Sequence, residues 1–349
     1  MSTNEFFFRL SKNEQLEEDK TLTKPLTLEV ISQSISLLCK VGTGLAHAYV
    51  RLDVHDKELT NITMLSTFVH LRYIDISSNS IKDISPLNCL THMLTLKSDR
   101  NLLTSPALAQ LPYLQSANFS KNKIVAAEGV DHPLLELLHL SYNKINSLTS
   151  FTALNMTMLH TLELRSNQLR STKGLVIPTL KNLYLAQNVI KYLEDVDKLS
   201  NLQQLHLRDN HIEHLDGFNE NNKALQYLNL RSNHITNKKE LQKLKMLPML
   251  RCVVMSECPI SDEDDYRVEV LIALRKRIER LDKDEYTEEE RVEAEEISEQ
   301  RRAEENPGGA GDEQDGMDPL LMDEDGMGGE EGSNEEGNDF DLEDDMDYS

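Results

Sequence analysis

Leu180-Lys181-Asn182-Leu183-Tyr184-Leu185-Ala186-Gln187-Asn188-Val189-Ile190 is the stretch on which the fold turns. Its apolar residues stand at 180, 183, 185 and 190, with an asparagine at 188. The same spacing returns on either side. Upstream it is Leu159, Leu162, Leu164, Asn167 and Leu169, preceded by Leu135, Leu138, Leu140, Asn143 and Ile145. Downstream it is Leu202, Leu205, Leu207, Asn210 and Ile212, followed by Leu225, Leu228, Leu230, Asn233 and Ile235. Leu71, Ile74, Ile76, Asn79 and Ile81 make another copy, and Asn101 and Asn122 anchor two weaker ones. The asparagines at 79, 101, 122, 143, 167, 188, 210 and 233 are 21 to 24 residues apart. A terminal copy, Leu250, Val253, Met255 and Ile260, has Cys258 in the asparagine position, and a degenerate first copy has Leu52, Val54 and Leu59 with Lys57 there.

A period of 20 to 29 residues with this consensus is that of the leucine-rich repeat. The alternating segment reads as a short strand with its leucines turned inward. The asparagine falls where the chain leaves the strand, and its amide can satisfy backbone groups that the turn would leave unpaired. One repeat cannot stand alone. Its four or five aliphatics contribute roughly 1.5–3 kcal/mol each on burial, against about 1–2 kcal/mol of backbone entropy for every residue ordered. Stacking on two neighbours makes the array viable.

Arrays need closed ends. Leu28, Ile31, Ile35 and Leu38 share a helical face behind Thr27, a candidate N-cap, and Pro25. After the last copy, Ser261-Asp262-Glu263-Asp264 reads as a helix start, with Tyr266, Val270, Leu274 and Leu281 as its apolar stripe. Thr287 and Glu290 mark a second capping box, opening a helix charged on nearly every side. Of the chain's 60 acids, 19 lie between 303 and 349 with no Lys or Arg, so the net charge of -23 falls to -4 over residues 1–302. The sequence thus predicts an α/β fold: a leucine-rich-repeat solenoid with a parallel concave sheet, helical N- and C-terminal caps and a disordered acidic tail. The expected organisation is a flexible N-terminus over 1–24, a capping helix over 25–50, repeats over 51–260, a C-terminal cap over 261–285, a charged helix over 286–305 and the tail over 306–349.

The composition argues against several functions. A near-neutral body with an acidic tail does not suit a phosphate backbone, so no nucleic-acid partner is expected. No stretch approaches the ~18 apolar residues of a membrane span, and Phe6-Phe7-Phe8 is too short for a signal peptide. Cys39, Cys89, Cys252 and Cys258 form no paired C-x-x-C spacing, as in proteins of a reducing compartment. A soluble intracellular protein is expected. No P-loop, nucleophile elbow or H-E-x-x-H occurs, so neither catalysis, nor a cofactor, nor a small-molecule substrate is expected.

Function is expected on the concave face, where residues between the inward leucines point outward. The later repeats place His139, Tyr142, Glu163, Arg165, Tyr184, His206, Arg208, Tyr227 and Arg231 there, which the sequence predicts to form one continuous protein-binding surface. Tyr and Arg dominate interface energetics. A metal site is not expected: His139 and Glu163 stand on neighbouring strands, ~4.8 Å apart, but His206 is two strands further on.

The short repeats and the Tyr266-Arg267 cap resemble the phosphatase-regulator-like subclass of leucine-rich repeats. A closer resemblance lies outside the repeat consensus. Leu37-Leu38-Cys39-Lys40-Val41-Gly42-Thr43-Gly44-Leu45-Ala46-His47-Ala48-Tyr49-Val50, His70-Leu71-Arg72-Tyr73-Ile74-Asp75-Ile76-Ser77 and Leu205-His206-Leu207-Arg208-Asp209-Asn210 resemble a family of leucine-rich-repeat proteins of the ciliary radial spoke. So does the opening stretch over 180–188, and the resemblance runs from about 26 to 286. It implies a non-enzymatic scaffold in the head of the third radial spoke of motile cilia and sperm flagella. It also implies spoke or axonemal proteins as partners and a place in the cytoplasm, on the cytoskeleton of the axoneme. The glycine-rich acidic C-terminus departs from that family. Two other partner classes fit a repeat scaffold with an acidic tail: a protein phosphatase that it would regulate, or histones in the nucleus.

Overall fold

Every repeat contributes one inward residue flanked by two that face out, and three residues are all the strand it makes. In the computed structural model, which describes residues 23–305 apart from 43, 152, 153, 155, 275 and 276, these strands are Tyr73–Asp75 (β3), Thr95–Lys97 (β4), Ser116–Asn118 (β5), Leu137–His139 (β6), Thr161–Glu163 (β7), Asn182–Tyr184 (β8), Gln204–His206 (β9), Tyr227–Asn229 (β10) and Cys252–Val254 (β11). They follow Ile35–Val41 (β1) and Ala46–Asp53 (β2) and precede Arg280–Leu281 (β12) and Asp284–Glu285 (β13). All thirteen belong to one sheet in strict chain order. β2 to β12 are parallel, with central residues in register, as in Leu162 opposite Leu183 and Leu183 opposite Leu205. The antiparallel pairs are those at the two ends, β1 with β2 and β12 with β13.

The inward leucines form one continuous apolar column from Leu26 to Ala294, with Phe119 and Phe151 fully buried within it. Opposite the sheet the chain returns through loops and short 3-10 turns such as Thr63–Thr67, Ser85–Cys89 and Val196–Lys198. A return this compact is what a repeat of 21 to 24 residues can accommodate.

The asparagines join the repeats. Asn143 Oδ1 accepts from the Ile124 N–H at 3.0 Å, while Nδ2 donates to the carbonyls of Phe119 and Leu140, both at 3.0 Å. The pattern repeats at the other seven asparagines, Asn188 among them. Cys258 replaces the amide with a weaker donor, its Sγ lying 3.2 Å from the Leu230 carbonyl. Burial pushes that thiol up to about 11, which keeps it protonated and able to donate. The residue just before each asparagine is left-handed: Ser78, Arg100, Lys121, Tyr142, Ser166, Gln187, Asp209 and Ser232 all have φ between 53 and 57.

The N-terminal cap differs from the expected helix over 25–50. Thr27 does cap a helix, α1, accepting from the Val30 N–H, but α1 covers only Leu28–Ser34 and buries Ile31 alone. Leu28 and Leu38 are exposed. Ile35 and Leu38 belong instead to the β1–β2 hairpin. The physical reason is the turn: Gly42 and Gly44 take φ of +57° and +83°, which reverses the chain and lets 35–41 pair back on 46–52.

At the other end the helix α2 spans Tyr266–Leu274 and starts later than Ser261–Asp264, where Pro259–Asp262 is a 3-10 turn. It buries Tyr266, Val270, Leu271, Ala273 and Leu274 against the final repeat. Thr287 and Glu290 exchange capping-box hydrogen bonds of 2.8 and 3.2 Å at the start of α3, Glu288–Glu305. α3 is tied to α2 by Arg267 on Glu290 at 2.6 Å and Arg301 on Glu269 at 2.7 Å, and it buries Ala294. Of the expected flexible segment over 1–24, residues 1–22 lie outside the described residues, as does the tail over 306–349, while Lys24 is held on Thr60 and Glu58, both at 2.9 Å.

Candidate protein-binding face

Outward residues on neighbouring strands stand one strand spacing apart, about 4.8 Å, so side chains of matching shape meet along the face. His139 at the end of β6 and Glu163 at the end of β7 are register partners, and His139 Nδ1 lies 2.9 Å from the Glu163 carboxylate. Tyr184 and His206 are the next such pair. Their rings stack with centroids 4.5 Å apart and planes 24° from parallel. Tyr227 reaches diagonally from the first position of β10 and continues the stack at 4.9 Å from His206. Tyr142, left-handed before Asn143, lies under two cations: the Lys121 ammonium is 5.1 Å and the Arg165 guanidinium 5.9 Å from its ring centre.

The arginines are held. Arg165 donates to Gln187 Oε1 at 3.2 Å, Arg208 lies 3.3 Å from the Asp209 carboxylate, and Arg231 lies 2.6 Å from Glu257. Hydrogen bonds from Arg231, then from Ser232, hold the Glu257 carboxyl down at about 2, so this pair is ionised at any physiological pH. The face is therefore prearranged. Ordering cost that binding would otherwise impose on these side chains has already been met in folding.

All nine expected residues lie along this face, but they do not make the open, continuous surface that the sequence predicts. His206 is 8% exposed and Tyr227 5%, because the His206 ring lies between those of Tyr184 and Tyr227, the latter tilted 33° against it. Asn229, Cys252 and Val254 beyond them are buried as well. What remains accessible is a row in pieces: the His139–Glu163 bridge, the Tyr142 cluster, then Tyr184 with Arg208 and Arg231 at the margin of the stack. His206 is engaged with Tyr184 and Tyr227, away from His139 and Glu163. Among the described residues no three His, Cys, Asp or Glu side chains are placed to hold a metal ion, and no helix is long and apolar enough to cross a membrane.

Two structural groups escaped the sequence reading. The Asp282 carboxylate accepts from the Met255 and Ser256 N–H groups at 2.8 and 2.7 Å. In the repeat before, Leu230 at the position of Met255 bonds the Val254 carbonyl of its successor, and Arg231 at the position of Ser256 bonds the Asn229 side chain. The other is the N-terminal hairpin, which Gly42 and Gly44 between two apolar runs could have signalled.

Comparison with known proteins places this geometry. A family model described as "Leucine Rich repeat" matches residues 221–238. Leucine-rich repeat-containing protein 23 of Bos taurus is 50% identical over 276 residues, 79% of this chain and 80% of its own length. The Mus musculus protein of the same name is 51% identical over 310 residues, covering 89% of this chain and 90% of its own. Among solved structures, an internalin from Listeria monocytogenes superimposes with a TM-score of 0.50 at 21% identity, over 67% of this chain and 73% of that one. That likeness is one of fold.

Proposed function

The chain belongs to the leucine-rich repeat-containing protein 23 family, and from that premise we propose that it is a structural component of the radial spoke of motile cilia and flagella, docking spoke proteins on its concave face. The coarser part of this stands on family and fold alone: the chain is a leucine-rich-repeat scaffold for protein interactions. The finer part rests on the resemblance of the non-consensus segments to the spoke family. The scaffold acts by holding partners and not by catalysis.

One observation carries the choice of face. Side chains from five successive repeats are held by neighbouring side chains, with Tyr184, His206 and Tyr227 in contact and Arg208 and Arg231 half-buried just beyond their strands. Anchors held in advance give affinity at low entropic cost. Tyr184 and Arg208, both half-buried, offer an aromatic ring and a guanidinium, and Glu163 with His139 offers an acceptor and a donor further along.

Fractionation tests the placement. In ciliated cells the protein is expected to stay with axonemes after the membrane is removed with nonionic detergent. Complete release into the detergent fraction, with known axonemal proteins retained in the pellet, would contradict the spoke assignment and leave the scaffold reading standing.

A further inference from the structure

Among the described residues, the N-terminal hairpin leaves one edge of the sheet unpaired. β1 is the outermost strand and, among the described residues, pairs with β2 alone. It is seven residues long where the repeat strands have three. An open edge presents a row of backbone N–H and C=O groups to any passing strand, and natural proteins blunt such edges with charge, proline or shortness. β1 reads Ile35-Ser36-Leu37-Leu38-Cys39-Lys40-Val41, with no proline and one charge.

Its apolar side chains are not all turned to the core. Leu37 is 46% exposed, Leu38 57% and Leu45 at the tip 91%. Leu37 has φ +61°, outside the extended region, and this breaks the alternation so that two consecutive leucines face solvent. Leu38 is the cross-strand partner of Tyr49, itself 48% exposed. Basic residues flank this apolar pair on both sides: Lys40 stands opposite His47, and Arg51 opposite Ser36. Asp53 is the one carboxylate between 35 and 53, and it is engaged by His55 at 2.6 Å. A chain of net charge -23 thus carries a locally positive, apolar strand edge.

We propose that β1 accepts an extended segment of a partner protein as an added strand, and that the segment carries an apolar side chain with a carboxylate two residues to either side. Backbone hydrogen bonds along β1 would supply affinity, as in other cases of strand addition. Side chains two apart in a strand share a face. The central apolar residue therefore falls on Leu38 and Tyr49, and the carboxylates fall toward Lys40 with His47 on one side and Arg51 on the other. This site lies at the N-terminal edge of the sheet, on the same side as Tyr73 but five strands from β6 where the His139 row begins, and does not depend on that row.

The test uses the full chain and three fluorescent heptapeptides read by anisotropy: Thr-Glu-Thr-Leu-Thr-Glu-Thr, the same peptide with Lys for Glu, and a version with the two Glu residues adjacent. The first is expected to bind at least tenfold more tightly than either of the others, and to weaken as salt is raised. Lys40→Glu with His47→Glu should reverse the preference toward the Lys peptide. Leu38→Asp should abolish binding of the first peptide; all three side chains are exposed, so the melting transition should be unchanged. Equal affinity for the three peptides, no binding at all, or an unchanged preference in the charge-reversed chain would overturn the proposal. Self-association that Leu38→Asp abolishes, without peptide binding, would assign the edge to a second copy and equally overturn it. The wild-type comparison decides the matter even if a variant fails to fold.

Discussion

Asn188 is bonded on both sides of its amide. Its Oδ1 accepts from the Leu169 N–H, and its Nδ2 is shared among the carbonyls of Leu164, Leu185 and Ala186. Two of these partners belong to the preceding repeat, so the side chain is a covalently anchored link between neighbours. Each buried backbone group that loses its partner costs about 1–3 kcal/mol. Asn188→Ala is therefore expected to destabilise the chain by roughly 3 kcal/mol, read as a lowered denaturant midpoint in equilibrium unfolding. A loss under ~0.5 kcal/mol, the size of an ordinary surface substitution, would contradict the role. This residue was legible in the sequence because one polar type recurs at a fixed place in an apolar frame. The left-handed residue before it was not. Ser, Arg, Lys, Tyr, Gln and Asp all serve there, since the stack imposes the backbone conformation and the side chain merely tolerates it.

At the scale of elements, both ends of the array show how a solenoid closes. Inner repeats satisfy their turn N–H groups on the next repeat's carbonyls. After the last only the two-residue strand β12 follows, and Asp282 just beyond it offers Oδ1 to the Met255 N–H in place of a backbone carbonyl and to the Ser256 N–H, with the Tyr266 hydroxyl 3.3 Å from its Oδ2. Hydrogen bonds to a charged group contribute about 1.5–3 kcal/mol, so Asp282→Ala is expected to cost at least ~2 kcal/mol. The loss should concentrate at the C-terminal end: hydrogen exchange at Met255 and Ser256 should accelerate while that at Leu140 stays slow. Uniform exchange across the chain would argue that Asp282 is not a local cap. At the C-terminal end the sequence showed α2 through the apolar residues Tyr266, Val270 and Leu274 and α3 through the Thr287–Glu290 capping box, while Ser261–Asp264 proved to lie before the helix and Leu281 on β12. The N-terminal element was misread because Leu28, Ile31, Ile35 and Leu38 have helical spacing, while the pairing of 35–41 with 46–52 is a non-local choice enforced by the turn at Gly42 and Gly44. Three-residue strands have no such freedom: pinned between two in-register neighbours, they follow the repeat.

For the molecule as a whole, the repeat register determined which side chains face outward, and periodicity alone was enough for that. It could not determine what those side chains do to one another. Whether Tyr184, His206 and Tyr227 stand free or stack depends on ring orientations across three strands, and stacking turns an expected open surface into a partly closed core with an arginine-bearing rim. The central claim is that this rim, on a scaffold of the leucine-rich repeat-containing protein 23 family, is where partners dock. The most direct measurement is axonemal retention of a chain carrying Tyr184→Ala with Arg208→Glu, expressed in ciliated cells at the level of the wild type and checked beforehand for an unchanged melt. Loss of a central aromatic and an arginine typically costs 2 kcal/mol or more, roughly thirtyfold in affinity. The retained fraction is predicted to fall at least tenfold. Retention equal to wild type would contradict the concave-face account.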